Sequence, residues 1–249
     1  LNNCCFSSSI MEEEKTFYEH LEELRKRIIK SLLAIVLASI LAYFFKKELF
    51  NLLVKPLGHE LVLLSPAEAF TTLIKLSIIA GIILSFPYVI YHMWAFISTL
   101  FEKEKRKKII NYVILSLILF YGAIIFCYFI ILPASLNLLI NFGGLPLLPT
   151  ITFSNYINFS LLLLLSFGVI FQFPLVLLAL IELGIISIEE LAKKRIYVIL
   201  VIFVVAAIIT PTPDAINQIF IAFALIILFE VTLVIARFKK NSSNKKTRL

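Results

Sequence analysis

Cysteine is scarce in this chain, and what there is does not pair. Cys4, Cys5 and Cys127 are the whole set. An odd, unspaced trio supports neither a disulfide framework nor a zinc site. Histidine is equally thin: His20, His59 and His92 lie in different segments without metal-ligand spacing. The sequence has no Ser-His-Asp arrangement, HExxH helix or phosphate-binding loop, so nothing in it reads as catalytic and no cofactor is expected. A secretory leader is missing too. Leu1–Ile10 has neither a basic stretch nor an apolar core, and Met11 is the expected start of translation. No transit peptide is visible. No internal repeat stands out, which argues against an inverted-repeat transporter.

Charged residues make up only 16% of the chain, whereas 61% is hydrophobic and the mean hydropathy is +1.00. Soluble domains sit far below that apolar share. Six apolar runs account for it, roughly 28–45, 69–97, 109–132, 155–181, 196–209 and 215–236. A helix needs about 20 mostly apolar residues to cross a bilayer. All but the fifth meet that length. Backbone facing lipid must satisfy its own hydrogen bonds, so the runs are expected as helices. The fifth, Ile196–Ile209, makes only ~21 Å of helix against ~30 Å of hydrocarbon. The expected fold is an all-α integral membrane protein with six transmembrane helices, the fifth and sixth short. One membrane domain would span 16–237, between a flexible 1–15 and a basic tail at 238–249.

Basic residues fall on alternate sides of these runs. Of 23 Lys and Arg, 19 lie before the first run or at its start, in Lys103–Lys108, in Lys193–Arg195, and from Arg237 onward. The intervening segments hold Lys46, Lys47 and Lys55, and Lys75 lies within a run. Lys/Arg-rich loops stay on the cytoplasmic side. Both ends are therefore expected inside. The net charge of +7 is divided among four short segments. Anionic membrane lipids are a sufficient partner for them, and no nucleic acid is expected.

Local signals refine the picture. Thr16 with Glu19 has a capping-box pattern. Leu21, Leu24 and Ile28 share one helical face. Glu22–Lys26 and Glu23–Arg27 are favourable i,i+4 pairs. Together they predict an amphipathic helix along the membrane surface leading into span one. Segment 46–68 contains Pro56 and room for a short helix near 47–54. Pro87 should kink span two, and Lys75 should snorkel to the head groups. Pro133 is expected to open the second outer segment. Pro174 interrupts span four, and Ser187 caps a short helix before Lys193.

Several polar residues admit two readings. Glu23 and Glu104 are either solvated partners in local ion pairs or paired carboxylates that receive cationic groups at the inner face. A carboxylate binds guanidinium through a planar two-bond fork that lysine cannot copy. Gln172, midway along span four, is either helix–helix glue or the lining of a polar cavity. Glu230 either faces protein or water within span six or reaches the inner interface. Asp214 reads as the N-cap of span six.

The motifs also resemble a known family, the TatC family of twin-arginine translocases. HLEELRKR (His20–Arg27) is similar to its H-L-x-E-L-R signature. SPAEAF (Ser65–Phe70) resembles its outer cap, and FPYVIYHMWAFI (Phe86–Ile97) with EKEKR (Glu102–Arg106) its second span and inner loop. FGVIFQFP (Phe167–Pro174) and TPTPD (Thr210–Asp214) resemble its fourth span and last outer turn. The resemblance covers about residues 16–237. It implies a cup-shaped bundle that receives signal peptides bearing adjacent arginines. It also implies export of folded proteins, driven by the proton-motive force, by a complex that holds homo-oligomers of the chain and single-span TatA/TatB-type helpers. Glu23 and Glu104 would take the guanidinium groups, with Arg25, Arg106, His20 and Leu21 around them. Gln172 and Glu230 would dock helpers. Many members carry Glu where this chain has Gln172, and an amide cannot carry a titrating proton. The compartment implied is a bacterial cytoplasmic or plastid thylakoid membrane. A small-solute secondary transporter is the alternative of a different class.

Overall fold

The computed structural model describes residues 2–57, 61–97, 109–141, 151–193, 195–209, 218–219 and 222–234. The elements are α1 (Asn2–Phe44), α2 (Lys46–Val54), β1 (Leu61–Val62), α3 (Pro66–Ile97) and α4 (Ile109–Phe126). A π-helical turn (Cys127–Ile131) leads into α5 (Leu132–Asn141), then β2 (Ile151–Thr152), α6 (Phe153–Ile170), α7 (Phe173–Glu182), α8 (Ile188–Lys193) and α9 (Arg195–Ile209). Ala222–Val234 forms α10. Among the described residues, four stretches are long and apolar enough to cross a membrane: Leu21–Phe44, Pro66–Ile97, Ile110–Asn137 and Phe153–Ile181. Two shorter apolar helices, Arg195–Val204 and Ala222–Val234, follow.

Two expectations change. The surface helix and the first span are one unbroken helix, and Thr16 lies inside it rather than at its start. Met11–Lys15 is made of strong helix formers, so the helix extends upstream through residues 2–15. Pro133 does not end the third span; it sits at the second residue of α5. The π-turn just before it explains this. Leu132 N–H reaches back to the Cys127 carbonyl, and the widened turn accepts a proline that a regular helix interior would resist.

Other punctuation falls where the residues put it. Pro66 opens α3 and Pro174 sits in the first turn of α7, where a missing N–H leaves nothing unbonded. Pro56 lies in the turn after α2. Ser187 immediately precedes α8. α7 ends at Gly184, at φ +74. Its N–H bonds the Ile181 carbonyl and the Ile185 N–H bonds that of Leu180, a Schellman ending that a side chain would strain.

α1 runs antiparallel to α3. Arg27 meets His92 at one end, and Ser39 meets Ile78 and Gly81 further along. At Gly81 a Cβ would lie 2.5 Å from the Ser39 Cα. Only a residue without one lets the two backbones come so close. The main core gathers on α6, where Tyr156, Ile157, Leu163 and Phe167 are buried with Cys127, Leu132 and Phe229. The outward face of α1 keeps Leu33, Val36, Leu37, Ile40, Leu41 and Phe44 more than half exposed, as a lipid-facing helix does.

At the far end from Arg27, α2 is pinned by its carbonyls. The last four of a helix lack intrahelical donors. Here Asn51 accepts from Lys55 N–H (3.2 Å) and Val54 from Leu57 N–H (2.9 Å). Leu52 accepts from the Tyr128 hydroxyl (2.6 Å) and Leu53 from that of Tyr156 (2.7 Å). β1 and β2 add a two-residue parallel pair, Leu61 beside Ile151 and Val62 beside Thr152. This pair is absent from the all-helical expectation. It joins segments too far apart in sequence for local patterning to reveal.

Candidate functional site

Glu23 and Arg27 are four residues apart on α1, which puts them on one face. Arg27 donates from Nε (3.0 Å) and Nη2 (2.6 Å), both to Glu23 Oε1. The side chains remain 24% (Arg27) and 38% (Glu23) exposed, so the pair is reachable from outside. The remaining arm, Arg27 Nη1, lies 3.5 Å from His92 Nδ1 on α3. His92 in turn stands edge-on to Tyr88 and Tyr91. Lys26 pairs with Glu22 at 2.8 Å. Both i,i+4 pairs expected from the sequence therefore form. Between α1 and α3 lies a cavity of about 250 Å³, lined by Arg27, His92 and Ser31 and otherwise by apolar residues including Leu24, Ile28, Val89 and Phe96.

Arg27 is the residue that holds the Glu23 carboxylate. Arg25 is exposed, two positions along and so turned away from Glu23. Leu21 is 45% exposed, and His20 lies in α1. Glu104, Arg106 and Asp214 lie outside the described residues. Among the described residues, no cluster of His, Cys, Asp and Glu could hold a metal ion.

A second polar group lies deeper. Phe171 and Gln172 form a turn that separates α6 from α7. Gln172 Nε2 donates to the Ser116 carbonyl of α4 at 3.1 Å. The Ser116 hydroxyl accepts from Trp94 Nε1 of α3 at 2.8 Å, and Trp94 stacks on Tyr112. The amide thus ties the interrupted fourth span to α4, which favours the helix–helix reading. Its Oε1 is buried and takes no hydrogen bond among the described residues. Glu230 pairs with Arg195 at 3.4 Å, both side chains about two-fifths exposed. The C-terminal part of α10 and the start of α9 therefore lie together. Gln218 Nε2 reaches the Phe203 carbonyl at 3.3 Å.

Two contacts have no counterpart in the sequence reading. One is Arg27 with His92. The other is the Tyr121 hydroxyl, which donates to the Ile83 carbonyl at 3.0 Å. Ile83 is four residues before Pro87, so its carbonyl is the one that proline leaves without a helical donor. The position of the unpaired carbonyl is readable from Pro87. The donor that finds it is not.

The comparisons with known proteins agree on one family. The family model described as Sec-independent protein translocase protein (TatC) matches residues 19–223. The Sec-independent protein translocase protein TatC of Carboxydothermus hydrogenoformans is 41% identical over 232 residues, covering 92% of this chain and 96% of that one. A tatC-like protein, ycf43, of Gracilaria tenuistipitata var. liui is 36% identical, covering 90% and 94%. A crystal structure of a twin-arginine translocase receptor, TatC, superposes with a TM-score of 0.79 at 37% identity, covering 87% of this chain and 99% of that one. This chain belongs to the TatC family, and it is a membrane-embedded component of a Sec-independent protein translocase.

Proposed function

We propose that this chain is the signal-peptide receptor of a twin-arginine translocase. Glu23 and Glu104 receive the two adjacent guanidinium groups of the signal, with His20, Leu21, Arg25 and Arg106 forming the surroundings. The chain crosses the membrane six times with both ends on the cytoplasmic side, as a cup whose concave face takes the apolar part of the signal. Single-span TatA/TatB-type helpers dock near Gln172 and along the short α9 and α10. Several copies assemble in the complex, and folded cargo moves at the expense of the proton-motive force. The membrane is a bacterial cytoplasmic or a plastid thylakoid one.

One observation carries this reading. Glu23, beside the Lys/Arg-rich stretch Arg25–Lys30 in the middle of α1, already holds a guanidinium through two N–H bonds while staying partly exposed. This supports the reading, since Lys/Arg-rich segments such as this one are retained on the cytoplasmic side. The buried Gln172 Oε1, which takes no hydrogen bond among the described residues, supports docking of a partner group in the fourth span. Binding of a peptide with two adjacent arginines tests the site. Glu23→Ala and Glu104→Ala should each weaken it roughly ten- to a hundredfold, the range for a lost charge-assisted hydrogen bond. Unchanged affinity in both variants removes the assignment.

A further inference from the structure

The Glu23 carboxylate is only half used. Both Arg27 donors converge on Oε1, and among the described residues no hydrogen bond reaches Oε2. A fork-to-fork pair would place one N–H on each oxygen. The third arm of Arg27, Nη1, sits 3.5 Å from His92 Nδ1, a hydrogen bond at its long limit. Arg27 is therefore suspended between two acceptors, one on its own helix and one on α3.

We infer that Arg27 is a resident competitor: in the unliganded chain it occupies Oε1 of the carboxylate that an incoming guanidinium must grip through both oxygens, and His92 is the acceptor onto which it is displaced. This rests on the reading of Glu23 as a receptor group. In the displaced state His92 Nδ1 acts as the acceptor, with its ring proton on Nε2. The partial exposure of both Glu23 and Arg27 gives the ligand a path in and the resident side chain a path out. Occupancy of Oε1 lowers affinity for every guanidinium ligand by one common factor, because only the fraction of chains with both carboxylate oxygens free can form the two-bond fork. Arg27 thus sets how tightly the signal is held. His92 is a positioning residue that acts through Arg27.

The test uses the full-length chain in detergent and a fluorescent peptide with two adjacent arginines followed by an apolar run. Arg27→Gln should bind it two- to fivefold more tightly. Arg27→Lys keeps the charge but loses the two-donor clamp, and should show part of that gain. His92→Phe should weaken binding two- to fivefold in the parent chain and have no effect in the Arg27→Gln background. Equal or weaker binding by Arg27→Gln overturns the inference. So does a His92→Phe effect that is the same in both backgrounds, because the gain would then come from charge repulsion alone. If Glu23→Ala costs nothing, the receptor reading itself falls. If Glu23→Ala weakens binding and Arg27→Gln fails to strengthen it, only the competitor falls. Should Arg27→Gln not fold, Arg27→Lys and His92→Phe decide.

Discussion

Two side chains do for this membrane domain what water does for a soluble protein. Tyr121 supplies the donor that Pro87 withholds from the Ile83 carbonyl. Tyr121→Phe should therefore cost about 1–2 kcal/mol, the penalty of an unpaired buried acceptor, read as thermal unfolding in detergent. Pro87→Ala restores a backbone donor at that point, so the double variant should lose much less than Tyr121→Phe alone. Gln172 behaves differently. Gln172→Leu gives up one bond to Ser116 but also removes the unpaired Oε1. The two effects oppose each other, and the fold should change by less than about 1 kcal/mol in the same assay. A loss of export in that variant would then point to docking rather than stability. The sequence made the polar break at Gln172 and Pro174 visible, because an amide and a proline interrupt an apolar run. It could not show that Trp94 and Ser116 complete the group. Those partners are brought together by packing of helices, not by spacing along one.

Elements meet through their smallest residues. Gly81 faces the backbone of Ser39, so Gly81→Ala forces α1 away from α3. Overpacking of this kind costs about 1–3 kcal/mol, and backbone rather than a flexible tip is in the way. Gly122 of α4 meets nothing within 4 Å. Gly122→Ala should gain about 0.5–1 kcal/mol from helix propensity alone. Thermal midpoints of the two variants should move in opposite directions. Apolar length and periodicity were enough to find the helices, including the nine-residue α2. They failed at Thr16 and Pro133 for one reason. A cap pattern or a proline marks an end only when the chain around it does not continue the helix, and here Met11–Lys15 and the π-turn both do.

At the scale of the whole molecule, the proposed sides of the membrane rest on the alternation of charge. Leu64, between β1 and α3, and Ile185, between α7 and α8, are both well exposed and should lie on opposite faces of the membrane. Single cysteines at these positions, in a chain with Cys4, Cys5 and Cys127 replaced by serine, should react with an impermeant maleimide from opposite sides. Labelling of both from the same side would overturn the topology. The charge pattern is what the proposed topology rests on, because Lys/Arg-rich loops resist translocation. It carries nothing about which helices touch, so the α1–α3 bridge through Arg27 and His92 stayed hidden. The tyrosine hydroxyls on Leu52 and Leu53 have a mechanical meaning. They make α2 a lintel bolted to two posts, so a load pressed on that rim is passed straight into the third and fourth spans instead of being absorbed by a hinged flap.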